Sequence, residues 1–194
     1  EVADRVDKMM KHQRDLERRR MERLAAVRHD IKPDEMPSRQ VVRYRARDGL
    51  EIPAILTLPR GKSAKNLPLV LYVHGGPWTA GAGWEWRDEP AFLASLGYAV
   101  LEPHFRGSTG LGRRHYTAGF KQWGLAMQDD LDDGVDWLVA EGRVDAKRVC
   151  IMGGSYGGYA VMMGLARDPV RWKCGINYVG VTEPGIVAAE PPNA

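Results

Sequence analysis

Two cysteines in 194 residues are too few for the disulfide framework of a small secreted fold. Cys150 and Cys174 both fall in apolar runs and are expected to be buried free thiols, with no metal site. A formal charge of +3 is too small to argue for nucleic acid, and no basic stripe interleaved with aromatics accompanies it. No apolar run approaches the roughly 20 residues of a membrane span. The first residues are too charged for a signal peptide. Neither nucleic acid nor membrane is therefore expected as a partner, and the expected location leans to the cytoplasm. The remaining absences are local. The first 30 residues hold no glycine and no proline, and no histidine follows residue 115.

What is present is one domain's worth of chain with an ordinary core fraction, 44% hydrophobic. It begins at Glu1 with no methionine and is expected to be a piece of something longer. Residues 1–30 carry nine Lys/Arg and seven Asp/Glu, with Val2, Val6, Met9 and Leu16 at roughly helical spacing. A solvated helix laced with ion pairs is the plain reading, and a partner-binding helix the sharper one. Pro33 and Pro37 mark a linker, so residues 1–38 are separated from a domain at 39–194.

From Gln40 the pattern is of strands and turns. Gln40–Ala46 alternates, Asp48-Gly49 signals a turn, and Glu51–Leu58 returns, which predicts a hairpin. Leu67–Val73 is almost continuously apolar, as in a strand covered on both faces. Ala91–Leu96 reads as helix and Tyr98–Glu102 as the next strand. Leu131, Val135, Leu138 and Val139 line one face of a helix, with Asp129, Asp130, Asp132 and Asp133 placed near its positive start. Arg148–Met152 and Cys174–Val179 complete the strands. A hairpin followed by alternating strands and helices predicts a mostly parallel sheet with helices on both faces.

One octapeptide carries the chemistry. Gly153-Gly154-Ser155-Tyr156-Gly157-Gly158-Tyr159-Ala160 contains Gly-x-Ser-x-Gly between a predicted strand and a predicted helix. That context makes it a nucleophile elbow, a turn so sharp that side chains at Gly153 and Gly157 would collide. Ser155 is then the nucleophile. Attack on an acyl carbon needs two donors aimed at the developing oxyanion. One is the backbone N–H after the nucleophile, that of Tyr156. His74-Gly75-Gly76-Pro77, at the end of the strand Leu67–Val73, is the natural source of the second, the Gly76 N–H. His74 itself is set aside as a base, because in this arrangement the base lies on a later loop. Phe105-Arg106-Gly107-Ser108-Thr109-Gly110 matches no phosphate-binding pattern. Arg106 more plausibly organises that loop through Asp129 or Asp130. His104 reads as an ordinary loop histidine, and Trp78–Trp86 is aromatic enough to line a pocket or to pack against another domain.

Together, His74-Gly75-Gly76-Pro77, the Phe105–Gly110 loop, Gln122-Trp123-Gly124 with Gln128-Asp129-Asp130-Leu131, and Gly153–Tyr159 resemble the prolyl oligopeptidase family of serine peptidases. The likeness is to its acylaminoacyl-peptidase-like and dipeptidyl-peptidase-like members. It implies an incomplete α/β-hydrolase fold lacking the last strands, a peptide substrate, and no cofactor. It also implies a β-propeller domain, which residues 1–38 do not resemble. The family's order is serine, then acid, then histidine. All five histidines here precede Ser155, and only Asp168, Glu183 and Glu190 follow it. The triad Asp and His are thus expected in a missing C-terminal part, and the isolated chain is expected to be nearly inactive. An open apolar edge at Cys174–Val179 would pair with that part or form a homodimer. An esterase or lipase of the same fold, or a non-catalytic remnant serving as an interaction module, are the alternatives.

Overall fold

The structure is a computed structural model, and it describes residues 32–61 and 63–182. The charged helix expected at 1–30, Glu183 and Glu190 lie outside the described residues. The chain divides into two units, 1–34 and 35–194, and the following concerns the second.

Among the described residues six strands form one sheet in the order β1-β2-β4-β3-β5-β6. They are β1 (Ser38–Arg45), β2 (Glu51–Leu58), β3 (Leu67–Val73), β4 (Ala99–Pro103), β5 (Val144–Gly154) and β6 (Cys174–Tyr178). The predicted hairpin is β1 and β2, paired antiparallel from Ser38↔Leu58 to Arg45↔Glu51 and closed over Asp48-Gly49. β2 pairs antiparallel with β4, while β3 runs parallel to both β4 and β5, and β5 parallel to β6. Four helices connect them: α1 (Asp88–Ser95), α2 (Arg113–Thr117), α3 (Ala126–Ala140) and α4 (Tyr156–Arg167).

Strand side chains alternate between two covered faces, which is why β3 is apolar along its whole length. Leu69, Leu71, Val73, Leu101, Val149 and Ile151 join Met127, Leu131, Leu138, Tyr156, Ala160 and Val161 of α3 and α4 in one cluster. The alternate residues Ile55, Val70 and Val100 are buried on the opposite face, where α1 contributes Ala91 and Ala94. Among the described residues no helix is long and apolar enough to cross a membrane.

Two expectations need correction. Cys150 and Cys174 are not free thiols but a disulfide, with Cα atoms 4.7 Å apart. Two strands flanking one crossover helix lie side by side, and the parallel register sets these residues opposite each other. The thiol argument for the cytoplasm loses its premise. Secondly, Cys174 is not buried: it opens β6, which is the sheet edge among the described residues, as expected at Cys174–Val179, with Ile176 and Tyr178 also exposed. The helix α3 begins at Ala126, which sets Asp129 in its first turn and Asp130, Asp132 and Asp133 just behind it. Asp130 is fully buried and Asp132 nearly so. Three of the four are held in ion pairs: Asp130 with Arg106, Asp133 with Arg47, and Asp129 with both Arg47 and Arg167.

Candidate active site

β5 ends at Gly154 and α4 starts at Tyr156, leaving Ser155 alone to make the turn. Its backbone sits at φ 57°, ψ −118°. That region is sparsely populated by residues with a side chain, and costs on the order of 1–3 kcal/mol. The turn is held on all sides. Ser155 N–H donates to the Tyr178 carbonyl at 3.0 Å, and its own carbonyl accepts from Tyr159 and Val181 N–H. The edge strand β6 thus supports the elbow directly. The flanking glycines are required by space: a Cβ on Gly153 would lie 2.6 Å from the Val73 carbonyl oxygen, and one on Gly157 would collide with the same oxygen. The elbow is therefore pressed onto the end of β3. Ser155 is exposed, and its hydroxyl makes no hydrogen bond among the described residues.

The loop leaving β3 lies against this turn. A Cβ on Gly75 would meet Ser155 Cβ at 3.5 Å and the Gly154 carbonyl oxygen at 3.2 Å. Gly76 has φ 120°, a conformation that favours glycine. Neither its N–H nor that of Tyr156, in the first turn of α4, donates to a backbone acceptor among the described residues.

The side chains of the two segments are packed through Phe105. The His74 imidazole stacks on the Phe105 ring at 4.4 Å, and Phe105 packs on the Tyr156 ring at 5.3 Å. Trp123 closes on Tyr156 from another direction at 4.7 Å. Phe105 is in turn fixed by its neighbour. Arg106 donates from its backbone N–H and two guanidinium nitrogens to Asp130 at 2.7–2.9 Å, and reaches Asp48 at 2.8 Å. Of the two aspartates anticipated for Arg106, Asp130 is the partner; Asp48 of the β1–β2 turn was not foreseen.

The described histidines are all engaged away from Ser155. His74 Nδ1 lies 2.7 Å from the Gly75 carbonyl oxygen, and Nε2 lies 2.9 Å from Ser108 Oγ. Burial pushes the imidazole down to about 4, so it is neutral at pH 7. His115 Nε2 lies against the carbonyls of His104 and Phe105. His104 is half-buried rather than a surface residue, and burial lowers it too. Asp168 caps the far end of α4 with Arg171, one helix length of 12 residues from Ser155, or about 18 Å. No described residue is therefore placed as base or orienting acid. Thr79 and Ser108 were not singled out in the sequence, and only the folding of their loops brings them to His74.

A mixed sheet with helices on both faces, carrying a strained serine between a parallel strand and a helix, defines the α/β-hydrolase class. Comparison with known proteins agrees. The chain matches the prolyl oligopeptidase family over residues 84–186. It is 44% identical over 146 residues to dipeptidyl aminopeptidase BIII of Pseudoxanthomonas mexicana, covering 72% of this chain and 21% of that protein. The acylamino-acid-releasing enzyme of Sus scrofa is 36% identical over 124 residues, covering 63% of this chain and 16% of the enzyme. A solved acylaminoacyl peptidase from Pyrococcus horikoshii superposes with a TM-score of 0.68 at 28% identity, over 76% of this chain and 24% of that one. A puromycin hydrolase gives 0.71 at 29%, over 76% and 23%. The chain belongs to the prolyl oligopeptidase family of serine peptidases. It spans about a fifth of the length of the curated relatives it matches.

Proposed function

We propose that residues 39–194 are the nucleophile-bearing portion of a peptidase domain that hydrolyses peptides through an acyl-enzyme on Ser155. The observation that carries this reading is the backbone of Ser155, held at φ 57°, ψ −118° with its hydroxyl exposed beside the Gly75-Gly76 loop. Strain at one exposed serine, supported by β3, β6 and α4, is the signature of a pre-organised nucleophile. Ser155 Oγ attacks the scissile carbonyl carbon while a base takes its proton. The carbonyl oxygen becomes negative between the N–H groups of Gly76 and Tyr156. Collapse expels the amine, which takes up a proton, and water then hydrolyses the ester by the same path.

The base and its orienting acid are not among residues 32–182. We assign them to sequence outside these 194 residues, with a β-propeller domain as a further partner. Triad members act as a unit, and losing them costs about four to six orders of magnitude in serine proteases. The isolated chain is then nearly inactive, and the exposed β6 edge is free to pair with the complementary part or with a second copy.

The test is labelling with a fluorophosphonate probe. The full-length protein should label, the isolated chain far more slowly, and Ser155→Ala not at all. Equal labelling of wild type and Ser155→Ala removes Ser155 as the nucleophile. Turnover of peptide anilides in preference to short-chain esters by the full-length protein supports peptides as substrate; the reverse preference sinks that part of the reading.

A further inference from the structure

A second strained residue lies against the elbow. Val179, directly after β6, has φ 46°. A β-branched residue in that left-handed region is an outlier, and its surroundings must hold it there. The Val179 side chain is 71% exposed among the described residues, so its own packing does not account for the conformation. The peptide units on either side of it do. The unit before Val179 is tied by its oxygen, because the Tyr178 carbonyl accepts from Ser155 N–H at 3.0 Å. The unit after it is tied by its nitrogen, because Gly180 N–H donates to Asn177 Oδ1 at 2.9 Å. The dihedrals of Val179 are the relative orientation of those two planes. One residue later, Val181 N–H donates to the Ser155 carbonyl at 3.2 Å. Residues 177–181 thus form a turn that grips both backbone groups of the serine.

We propose that Asn177 is a positioning residue: its amide oxygen closes the turn over Tyr178 and Val179, and so holds the bracket that keeps the Ser155 backbone in its attacking geometry. This rests on the assignment of Ser155 as nucleophile given above. Without that oxygen the peptide after Val179 is free to rotate, and Val179 relaxes to negative φ, where residues with a side chain ordinarily lie. The rotation carries the Tyr178 carbonyl and the Val181 N–H away from Ser155. The packing around the oxygen accounts for a glycine of the elbow motif that the sharp turn alone does not require. A Cβ on Gly158, in the first turn of α4, would collide with Asn177 Oδ1 and lie 2.5 Å from Gly180 Cα. A Cβ on Gly180 would collide with the same oxygen and lie 2.7 Å from the Gly158 carbonyl carbon. The oxygen is therefore seated between α4 and the turn, and a pair of glycines lets the two backbones meet there.

The acceptor can be removed or kept by substitution. Asn177→Ala deletes it without adding bulk, and Asn177→Asp keeps an oxygen in the same place. Both would be made in the full-length protein and assayed on a peptide anilide. Misplacing a reacting group by about 1 Å costs about 10²-fold in rate. We expect Asn177→Ala to lose kcat by about tenfold to 10²-fold with KM changed much less, and Asn177→Asp to recover most of that loss. Labelling of Ser155 by a fluorophosphonate should slow in parallel with kcat, while the affinity for a non-covalent product peptide stays near wild type. A role in stability alone would move the melting temperature and leave kcat per folded molecule as it is. The strain at Val179 gives a second readout. Glycine takes positive φ about as readily as negative, and alanine does not. Val179→Gly added to Asn177→Ala should therefore recover part of the lost kcat, and Val179→Ala added to it should not.

A wild-type kcat in Asn177→Ala, or equal kcat for the Ala and Asp variants, overturns the proposal, and so does equal kcat for the two double variants. If Asn177→Ala does not fold, Gly158→Ala decides, because its methyl pushes the same oxygen and Gly180 away from the elbow. A loss of about tenfold in kcat there supports the proposal, and a wild-type kcat refutes it. Activity surviving in Ser155→Ala would instead defeat the underlying assignment. An inactive Ser155→Ala beside indistinguishable Asn177 variants defeats the bracket alone.

Discussion

Replacing Arg106 with methionine should expose how the loop beneath the active site is held. Asp130 has no exposed side-chain surface, and Arg106 keeps 7%. The carboxylate accepts three hydrogen bonds from Arg106, two from the guanidinium and one from the backbone N–H. Methionine fills much of the space but leaves the buried carboxylate with the backbone donor alone. Breaking a buried pair by removing one partner costs about 3–5 kcal/mol. The ion pair to Asp48 adds little, because that carboxylate is half exposed. At this size each kcal/mol lowers the melting temperature by roughly 2–4 °C. Burial already pushes the Asp130 carboxyl up, with the Arg106 guanidinium pulling it back. Deleting the guanidinium leaves burial opposed chiefly by the Arg106 backbone N–H. A raised folded value favours the neutral acid in the fold. The deficit should therefore be smallest below the ordinary carboxylate range of about 4 and grow as pH rises through the folded value. Urea unfolding at pH 5 and pH 7.5 measures this, and Asp130→Asn in the Arg106→Met background should recover part of the pH 7.5 loss. A deficit under about 1 kcal/mol at pH 7.5, or one that does not change with pH, would refute the reasoning.

Three further outcomes follow from the same structure. Gly157→Ala places a methyl against the Val73 carbonyl and within 3.2 Å of the His74 oxygen, all backbone. The elbow must retreat from β3, with kcat/KM of the full-length enzyme falling about 10²-fold for a displacement near 1 Å, and a wild-type rate would show that the contact is not tight. Reducing the Cys150–Cys174 bond, which spans 24 residues of sequence, should lower stability by about 3 kcal/mol and loosen β6 beneath Ser155. Urea midpoints with and without a dithiol reductant test it; unchanged midpoints refute it. Asp132 is pushed up to about 6, chiefly by burial, and its Oδ1 has no hydrogen-bond partner among the described residues. The ionised form is penalised in the fold, so stability is greatest below about pH 4 and is lost as pH rises to 6. Asp132→Asn should flatten that slope and stabilise the protein by about 1–2 kcal/mol at pH 7.5, in urea unfolding followed across pH. A slope as steep as wild type would assign the titration elsewhere.

Much of the fold was legible because its signals are local. Alternation and Asp48-Gly49 mark the β1–β2 hairpin, and unbroken apolarity marks β3 as doubly covered. The helix α2 escaped notice because five residues, Arg113–Thr117, are too few to show a period. Arg106 was matched to Asp129 or Asp130, but composition cannot say which carboxylate is buried against an arginine 24 residues away, as Asp130 is. The disulfide had a latent signal: two cysteines on consecutive parallel strands at equal register. That register is set by how β5 and β6 pack around α4, which residue spacing does not contain.

The sequence by itself marked Ser155 as the candidate nucleophile. Gly153 and Gly157 around Ser155 admit a turn that other residues would block, and that is a property of adjacent atoms. It also marked the candidate oxyanion loop and the Phe105–Gly110 loop as motifs, and with them the family. Only the tertiary structure decided what joins them. Phe105 stacks His74 against Tyr156, Arg106 locks Phe105 to Asp130, and His74 and Thr79 converge on the Gly75 carbonyl oxygen. The ring contacts and the Arg106–Asp130 pair join residues tens of positions apart at 2.9–5.3 Å. Such distances exist only after the sheet has ordered its strands.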